Sequence, residues 1–440
     1  MFDVSYKNGL LFLSSKVYGD IEEDHLKAIV ESVDGDFIKD HVLDAPSKYL
    51  GGSNVLGTIT MNDLNFKLRR TGYSTAQNVQ GMPADAFVNI TEKGICSRCG
   101  ALGPVIGNTA TICPAESEWG KGGLCLSPPE RRLHFCQKCA FLIYSGMAGT
   151  FRTFIKGANM RVMFDSSSYD SLWRASSTFA DIDRGELNSL KLTIIPNGEF
   201  EAVLFAIYDF ATRLTGNTTY LEQVNMYYSF SAKPCDDGGI IQGSTLHKLA
   251  RFFYSTNELR ETDAIKINER GEKPFPFQFF MSTSVTGDVR KPESSRLRNL
   301  FCQGLLNKKV DFPVITEIAF EKKRKGEGYP VPAFYKIVIA KYLEAFGMSE
   351  EQENFRRLNG FGYSLGKSVK GTNLEGFTWE IFRARTFEEM LETMSELQLK
   401  LGNSQNWQPL LLQKDNWKTT KAILLNGMLN AIHQGGDGGE

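Results

Sequence analysis

Histidine is scarce in this sequence, with five in 440 residues. Proton transfer in enzymes uses histidine most often, so general acid–base chemistry is thinly supplied. The residues after His25, His41, His134, His247 and His433 are Leu, Val, Phe, Lys and Gln, so there is no His-Asp dyad. Carboxylates remain as possible bases, but no cluster of them stands out. Long apolar runs are missing too. Nothing approaches ~20 consecutive apolar residues, so no membrane-spanning helix and no membrane partner are expected. The start, MFDVSYKNGLLFLSS, has an early acid and no basic stretch, so a secretory signal is not expected and the chain is expected in the cytoplasm. Overall charge is nearly absent, at −1, with 42% apolar and 23% charged residues. That balance is ordinary for a globular protein and excludes a mostly disordered or fibrous chain. The length sets a prior of two or three domains.

The near-zero charge hides blocks. Residues 1–63 carry net −6, 64–175 net +6, 176–288 net −5, 289–342 net +7 and 343–440 net −3. Two basic zones between acidic ones suit a protein that touches nucleic acid on limited patches. The plain alternative is chance clustering on solvated faces. Cysteine usage is sharper. Of eight cysteines, six lie between 96 and 139. In a cytosolic chain such a cluster reads as metal binding rather than as disulfides.

The sequence pattern predicts an α+β region up to about 320, followed by an all-helical bundle. Residues 1–93 read as mixed strand and turn, with short apolar runs at Leu10 to Leu13, Phe37 to Ile38 and Val55 to Ile59. Residues 94–140 hold the cysteines, and 141–320 complete the α+β part. Strand-like residues run from Leu190 to Ile195. Phe200, Val203, Leu204, Ile207, Phe210 and Ala211 fall at helical spacing, as do Leu246, Leu249, Ala250 and Phe253. Ser294 can cap a helix carrying Leu297, Leu300, Phe301 and Leu305. After the linker EKKRKGEGYPVP, residues 330–432 read as a helical bundle. Ser349 with Gln352 and Thr386 with Glu389 have capping-box spacing. Gly402 stops the helix that follows Thr386, and the last helix runs from about Asn416 to Ile432. The tail 433–440 is expected to be disordered.

Cys96-x-x-Cys99 and Cys136-x-x-Cys139 carry the clearest chemistry. Two such turns can bring four thiolates to one tetrahedral zinc, because each presents both sulfurs on one side. The 36 residues between the pairs exceed the usual spacing of ~15–20, which implies an insert. Cys113 and Cys125 lie in that insert and could replace a ligand. The alternative is a set of buried free thiols. A catalytic zinc needs an open position and usually a His or carboxylate ligand, and only His134 is near. GFGYSLGKS at 360–368 resembles a phosphate-binding loop but fails the count. Its lysine, Lys367, requires Gly at 361, and that residue is Phe361.

Two basic patches stand out. The run Lys322, Lys323, Arg324 and Lys325 reads as an exposed loop for phosphate contact, or else as a solvated linker. Lys67 and Arg69 alternate with Phe66 and Leu68 on one strand face. Together with Arg70 they could anchor a nucleic-acid backbone, while Gln77 and Asn78 offer donors and acceptors to base edges. Asn54, inside the glycine-rich loop 51–57, could approach a groove closely.

The order of parts is an α+β region, the cysteine pairs around 96–139, and a helical C-terminal domain. This resembles the CXXC–CXXC family of large subunits of type I-B CRISPR Cascade effector complexes. The cysteine pairs are the specific motif, and the layout covers most of the chain. The resemblance implies a non-catalytic subunit that holds the 5′ end of the guide RNA complex and tests the motif flanking the target in double-stranded DNA. It implies steadying of the displaced strand and docking of a separate helicase-nuclease. It also implies contact with the other Cascade subunits: backbone, handle-binding and small. Sequence reading is then delegated to guide pairing, a logic stated for another RNA-guided effector. Two other classes fit the residues: a zinc-ribbon nucleic-acid-processing enzyme with an unrecognised active site, and a structural zinc protein without a nucleic-acid role.

Overall fold

The computed structural model describes residues 2–17, 22–38, 85–107, 133–148, 150–155, 158–180, 189–190, 194, 196–214, 216–230, 238–261, 273, 275–285, 288, 291–326, 332–402 and 414–433. The chain is α+β, with a mixed N-terminal region that holds a four-cysteine cluster and a helical C-terminal region. It divides into two compact units. One is Met1–Leu192 with Arg213–His247, and the other is Thr193–Thr212 with Lys248–Glu440. The unit that holds the C-terminal helices therefore takes in far more than 330–432. No helix among the described residues is long and apolar enough to cross a membrane.

The first unit opens with α1 (Phe2–Val17), α2 (Glu23–Ser32), α3 (Gly35–Ile38) and α4 (Asp85–Val88). The expected strands at Leu10 to Leu13 and Phe37 to Ile38 are thus helical. A short apolar run fits a buried strand or one helix face equally well. Here Tyr6, Leu10 and Leu13 share a helical face and are buried. A small antiparallel sheet follows, in the order β1 (Lys93–Ile95), β2 (Leu102–Ile106), β3 (Phe135–Cys136). Next comes α5 (Gln137–Ala148), whose residues Cys139 to Tyr144 are all buried.

The larger sheet contains β4 (Phe151–Ile155), β5 (Ala158–Ser166), β6 (Ser189–Leu190), β7 (Val224–Phe230) and β8 (Gly239–Ile241) in the order β6-β4-β5-β7-β8. Among the described residues, β4 and β6 run parallel and the other neighbours antiparallel. Of the expected strand at 190–195, Leu190 lies in β6 and Ile194 in a buried bend, and the rest lies outside the described residues. The central strand, β5, pairs with β7 from Met160↔Phe230 to Ser166↔Val224. Its consecutive residues Val162, Met163 and Phe164 are all buried, so both faces are covered. Phe164 meets Phe179 of α6 (Tyr169–Ala180) edge-on at 5.0 Å. On the α1 side, Lys7 pairs with Asp165 at 2.8 Å and Asn8 Nδ2 donates to the Phe164 carbonyl at 2.7 Å.

α1 and α5 cross with their backbones nearly touching. A Cβ added at Gly9 would fall on the Leu142 carbonyl oxygen, and one at Gly146 on the Ser5 carbonyl oxygen.

The second unit contains α7 (Glu199–Ala211), and α8 (Gly243–Glu258) runs on into it. Its further helices are α9 (Pro276–Thr283), α10 (Arg296–Leu306), α11 (Phe312–Arg324), α12 (Pro332–Phe346), α13 (Ser349–Val369), α14 (Phe377–Arg383), α15 (Phe387–Leu401) and α16 (Trp417–His433). Tyr208, Phe253 and Phe277 form an aromatic cluster with centroid spacings of 4.7 to 5.3 Å. A buried ion pair ties α7 to α10: Arg298 Nη2 donates to Glu201 Oε2 at 2.7 Å. The same oxygen accepts from the Asn197 backbone N–H, and Arg298 Nη1 donates to the Met281 carbonyl.

The glycine-rich 360–368 segment lies inside α13. Gly362 and Gly366 face α16, where a Cβ would strike the carbonyls of Leu424 and Met428. The segment is a helix-crossing surface, not a phosphate loop. Thr386 caps α15 by accepting from the Glu389 N–H at 3.1 Å. Glu389 returns a bond, accepting from the Arg385 N–H, and Gly402 ends the helix at φ 65°. The expected box at Ser349 and Gln352 does not form. Ser349 is already helical, without a side-chain cap, and Gln352 donates to the Ala340 carbonyl instead.

Candidate metal centre

Cys96 follows β1, at the start of a tight turn. Its N–H donates to the Ala101 carbonyl, and the Gly100 N–H donates back to the Cys96 carbonyl, each at 2.9 Å. Gly100 takes φ 75°, a conformation that side chains with a Cβ resist. The turn therefore folds Cys96 and Cys99 onto one side. The second pair is built differently. Cys136 ends β3, held in register opposite Val105 of β2. Cys139 lies in the first turn of α5. Sheet pairing thus carries the second pair to the first.

The four sulfurs lie within 4.8 Å of one another, and Cys99 and Cys136 are 3.7 Å apart. A regular tetrahedron of metal–sulfur bonds of about 2.3 Å has edges of about 3.8 Å. The donor set therefore fits a metal ion. Cys96 and Cys139 are buried, Cys136 is half-buried and Cys99 is exposed. Among the described residues, the cluster faces water chiefly at Cys99.

Crowding separates the thiols electrostatically. The side chain of Cys139 hydrogen-bonds the Cys136 sulfur, and the Cys139 backbone N–H adds to this, holding the Cys136 thiol down to about 5. That sulfur sits at the start of a helix, where the positive end of the dipole favours a thiolate. The Cys139 thiol is pushed up, first by its hydrogen bond to Cys136 and then by burial. Burial raises the Cys99 thiol. Four sulfurs this close suit a shared cation.

Residues outside the four cysteines brace the site. The Ser97 N–H donates to the His134 carbonyl at 2.7 Å. The His134 N–H returns a bond to Ser97 Oγ at 3.0 Å. This reciprocal pair joins the first turn to the entry of β3. Arg98, between the first two cysteines, lies 3.2 Å over the Tyr6 ring and donates to Asp3 Oδ1 at 3.0 Å. Phe2 packs on Phe135 with centroids 4.8 Å apart. Burial pushes the Tyr6 hydroxyl up to about 12, against the opposing pull of Arg98. The spacing of the cysteines marks the ligands in the sequence. The brace of Arg98 on α1 joins residues 92 and 95 positions apart, so only the fold reveals it.

The basic run at 322–325 differs from the expected loop. Lys322, Lys323 and Arg324 form the last turn of α11, where cations complement the helix dipole. Lys322 is buried, and its Nζ donates to the Val285 carbonyl at 3.0 Å. Arg324 binds both oxygens of Glu321, at 2.8 and 2.9 Å. Lys323 approaches the Trp379 ring at 5.9 Å. Lys325 follows as the exposed C-cap. The four charges therefore do not project together. Asn54, Lys67, Arg69, Arg70, Gln77 and Asn78 lie outside the described residues, as do Cys113 and Cys125.

No protein-family model matches the chain, and no curated protein matches it.

Proposed function

We propose that this chain is the non-catalytic large subunit of an RNA-guided DNA-surveillance complex of the type I CRISPR Cascade kind. One observation supports this reading, a metal site of the structural rather than the catalytic kind. The donor set consists of four cysteines, two of them buried, and the turn that carries the first pair is braced to α1 and to the entry of β3. Four protein ligands fill a tetrahedron and leave no position for substrate or activated water. In this reading Cys96, Cys99, Cys136 and Cys139 hold one zinc. When bound, it would cross-link the turn between β1 and β2 to β3 and α5.

The chain works in the cytoplasm with guide RNA, the target double-stranded DNA, the backbone, handle-binding and small subunits, and a helicase-nuclease. Asn54, Gln77 and Asn78 meet the motif that flanks the target, and Lys67, Arg69 and Arg70 hold its backbone. At the other patch, Lys323 and Lys325 remain the candidates for phosphate contact. Resemblance of layout and cysteine spacing supports the assembly part.

Co-expression with a repeat array and the neighbouring subunits tests the reading. The expected result is co-purification with guide RNA and repeated backbone subunits, at one zinc per chain. A chain that purifies without RNA from cells making every component would overturn it.

A nucleic-acid-processing enzyme is the second reading, and one pair favours it. His247 Nδ1 lies 2.9 Å from Glu222 Oε1, the arrangement by which a carboxylate orients an imidazole base. Cleavage of labelled DNA or RNA by the parent, lost in His247→Ala, would favour this reading over the first.

A further inference from the structure

The four clustered sulfurs differ in their access to water. Cys96 and Cys139 are each 1% exposed. Cys136 is half-buried and Cys99 is exposed. Cys99 also stands in an open turn. Its neighbours Gly100, Ala101 and Leu102 are exposed, and a Cβ added at Gly100 would meet nothing within 4 Å. A small solute arriving from water therefore meets the Cys99 sulfur first. Cys136 is the next most accessible sulfur and lies 3.7 Å from it. That contact joins the two halves of the cluster, because Cys99 belongs to the turn after β1 and Cys136 to β3. The other two sulfurs are held from inside. Cys96 is fixed by backbone bonds to Ala101 and from Gly100, and Cys139 by helix α5.

An accessible cysteine with a second thiol in contact is the arrangement of a redox-sensing pair. A hydroperoxide supplies the oxidant. Cys99 Sγ attacks one oxygen of hydrogen peroxide, the O–O bond breaks, and a sulfenic acid forms while the other oxygen leaves as water. Cys136 Sγ then attacks Cys99 Sγ. The S–S bond forms, the S–O bond breaks, and that oxygen leaves as a second water. Two electrons pass from the two sulfurs to one peroxide, and the two thiol protons end in the waters. Without a resolving thiol, a sulfenic acid goes on to sulfinic acid, which is not recovered by thiols.

We propose that Cys99 and Cys136 form a peroxide-sensitive dithiol, and that its closure to a disulfide empties the metal site. The second half rests on the zinc reading above. A structural zinc takes four protein ligands, and closure leaves only Cys96 and Cys139 to hold it. The disulfide still ties the turn after β1 to β3, so one cross-link replaces another. A dithiol reductant reverses the change by thiol–disulfide exchange.

The test treats the full-length, zinc-loaded chain with increasing hydrogen peroxide. Released zinc is read with a chromogenic chelator, and disulfides by non-reducing peptide mapping after alkylation. The parent should lose one zinc and two free thiols per chain, with Cys99 linked to Cys136. Dithiothreitol with added zinc should restore both. Cys99→His keeps a donor that zinc accepts but removes the oxidisable sulfur, so it should retain its zinc under the same treatment. Cys302→Ser should behave as the parent does, because Cys302 is buried outside the cluster. If Cys99→His does not fold, the map of the parent decides alone. Zinc kept by the treated parent, or lost without this link, would overturn the proposal. So would a link of Cys99 to Cys96, Cys113 or Cys125, or a Cys99 sulfinate beside a free Cys136 thiol. The zinc reading fails separately: a chain that purifies without zinc and still forms the Cys99–Cys136 link keeps the dithiol and loses the metal.

Discussion

Replacing Cys99 with serine isolates metal binding from packing. Cys99 is the exposed member of the cluster, so Cys99→Ser removes a ligand without opening a core cavity. The sheet that depends on this ligand is small: β1 has three residues, β2 five and β3 two. Its cross-strand pair Ile95↔Leu102 is 65% and 84% exposed and buries little apolar surface. Val105 and Phe135 are the buried apolar strand residues, each worth about 1.5–3 kcal/mol on full burial. A four-thiolate zinc is worth on the order of 10 kcal/mol and outweighs them. With zinc bound as proposed above, Cys99→Ser should release it and open residues 93–107. The helices α1 and α5, packed on each other through Gly9 and Gly146, should stay folded. Metal analysis and amide hydrogen exchange together provide the assay. Zinc should fall well below one per chain, and amides of 94–106 should exchange far faster than those of 160–166. Cys302→Ser is the control, because Cys302 is a buried cysteine outside the cluster. Full zinc content and unchanged protection in Cys99→Ser would refute the reasoning.

Arg298→Met should cost about 3–5 kcal/mol in denaturant unfolding, because it strands the buried Glu201 carboxylate. Adding Glu201→Leu should recover most of that loss, and a single variant as stable as the parent would contradict the pairing. Gly360→Ala should stabilise the chain by up to about 1 kcal/mol, since Gly360 is inside α13 with open space around it. Two residues on, Gly362→Ala should destabilise by about 1–3 kcal/mol, because its Cβ meets the Leu424 carbonyl. Thermal melts of the two variants moving in the same direction would refute the crossing. His433 is held below the usual histidine value, first by burial and then by Lys323, with Lys370 adding to this and Glu375 opposing it. Its folded pKa is the lower one, so its contribution to stability is complete above about pH 6.5 and is lost as pH falls through the folded value. His433→Gln should flatten the melting temperature of the chain between pH 7 and 5, and an unchanged pH profile would exclude this role.

What could be read from the sequence was local. Thr386, Glu389 and Gly402 bracket α15 because capping is settled within a few residues. The helical spacings around Leu204 and Leu249 lie on α7 and α8 for the same reason. The cysteine pairs were legible because a tight turn that gathers two sulfurs on one side fixes the spacing inside each pair. Tertiary contacts overrode the other readings. Leu10 to Leu13 looked like a strand because four apolar residues carry no period of their own. Ser349 and Gln352 have the spacing of a cap, but Gln352 finds the Ala340 carbonyl. Lys322 looked exposed within a run of four cations. Its long stem lets the ammonium reach the Val285 carbonyl while the methylenes are buried.

The cysteine cluster and the α1–α5 crossing form one mechanical unit. Cys139 belongs to α5, so its sulfur moves with that helix. Arg98 lies between Cys96 and Cys99, and it rests on Tyr6 and Asp3 of α1. The two halves of the sulfur cluster are therefore referenced to two different helices. What fixes the distance between those helices is the meeting of Gly9 with Leu142 and of Gly146 with Ser5, where there is no room for a Cβ. Backbone contact of this kind has no side-chain rotamers to absorb a shift, and packed interiors transmit strain. A methyl group at Gly146 would push α5 away from α1 and carry Cys139 away from Cys96. The glycines at positions 9 and 146 thus set the geometry of the cysteine cluster from outside it.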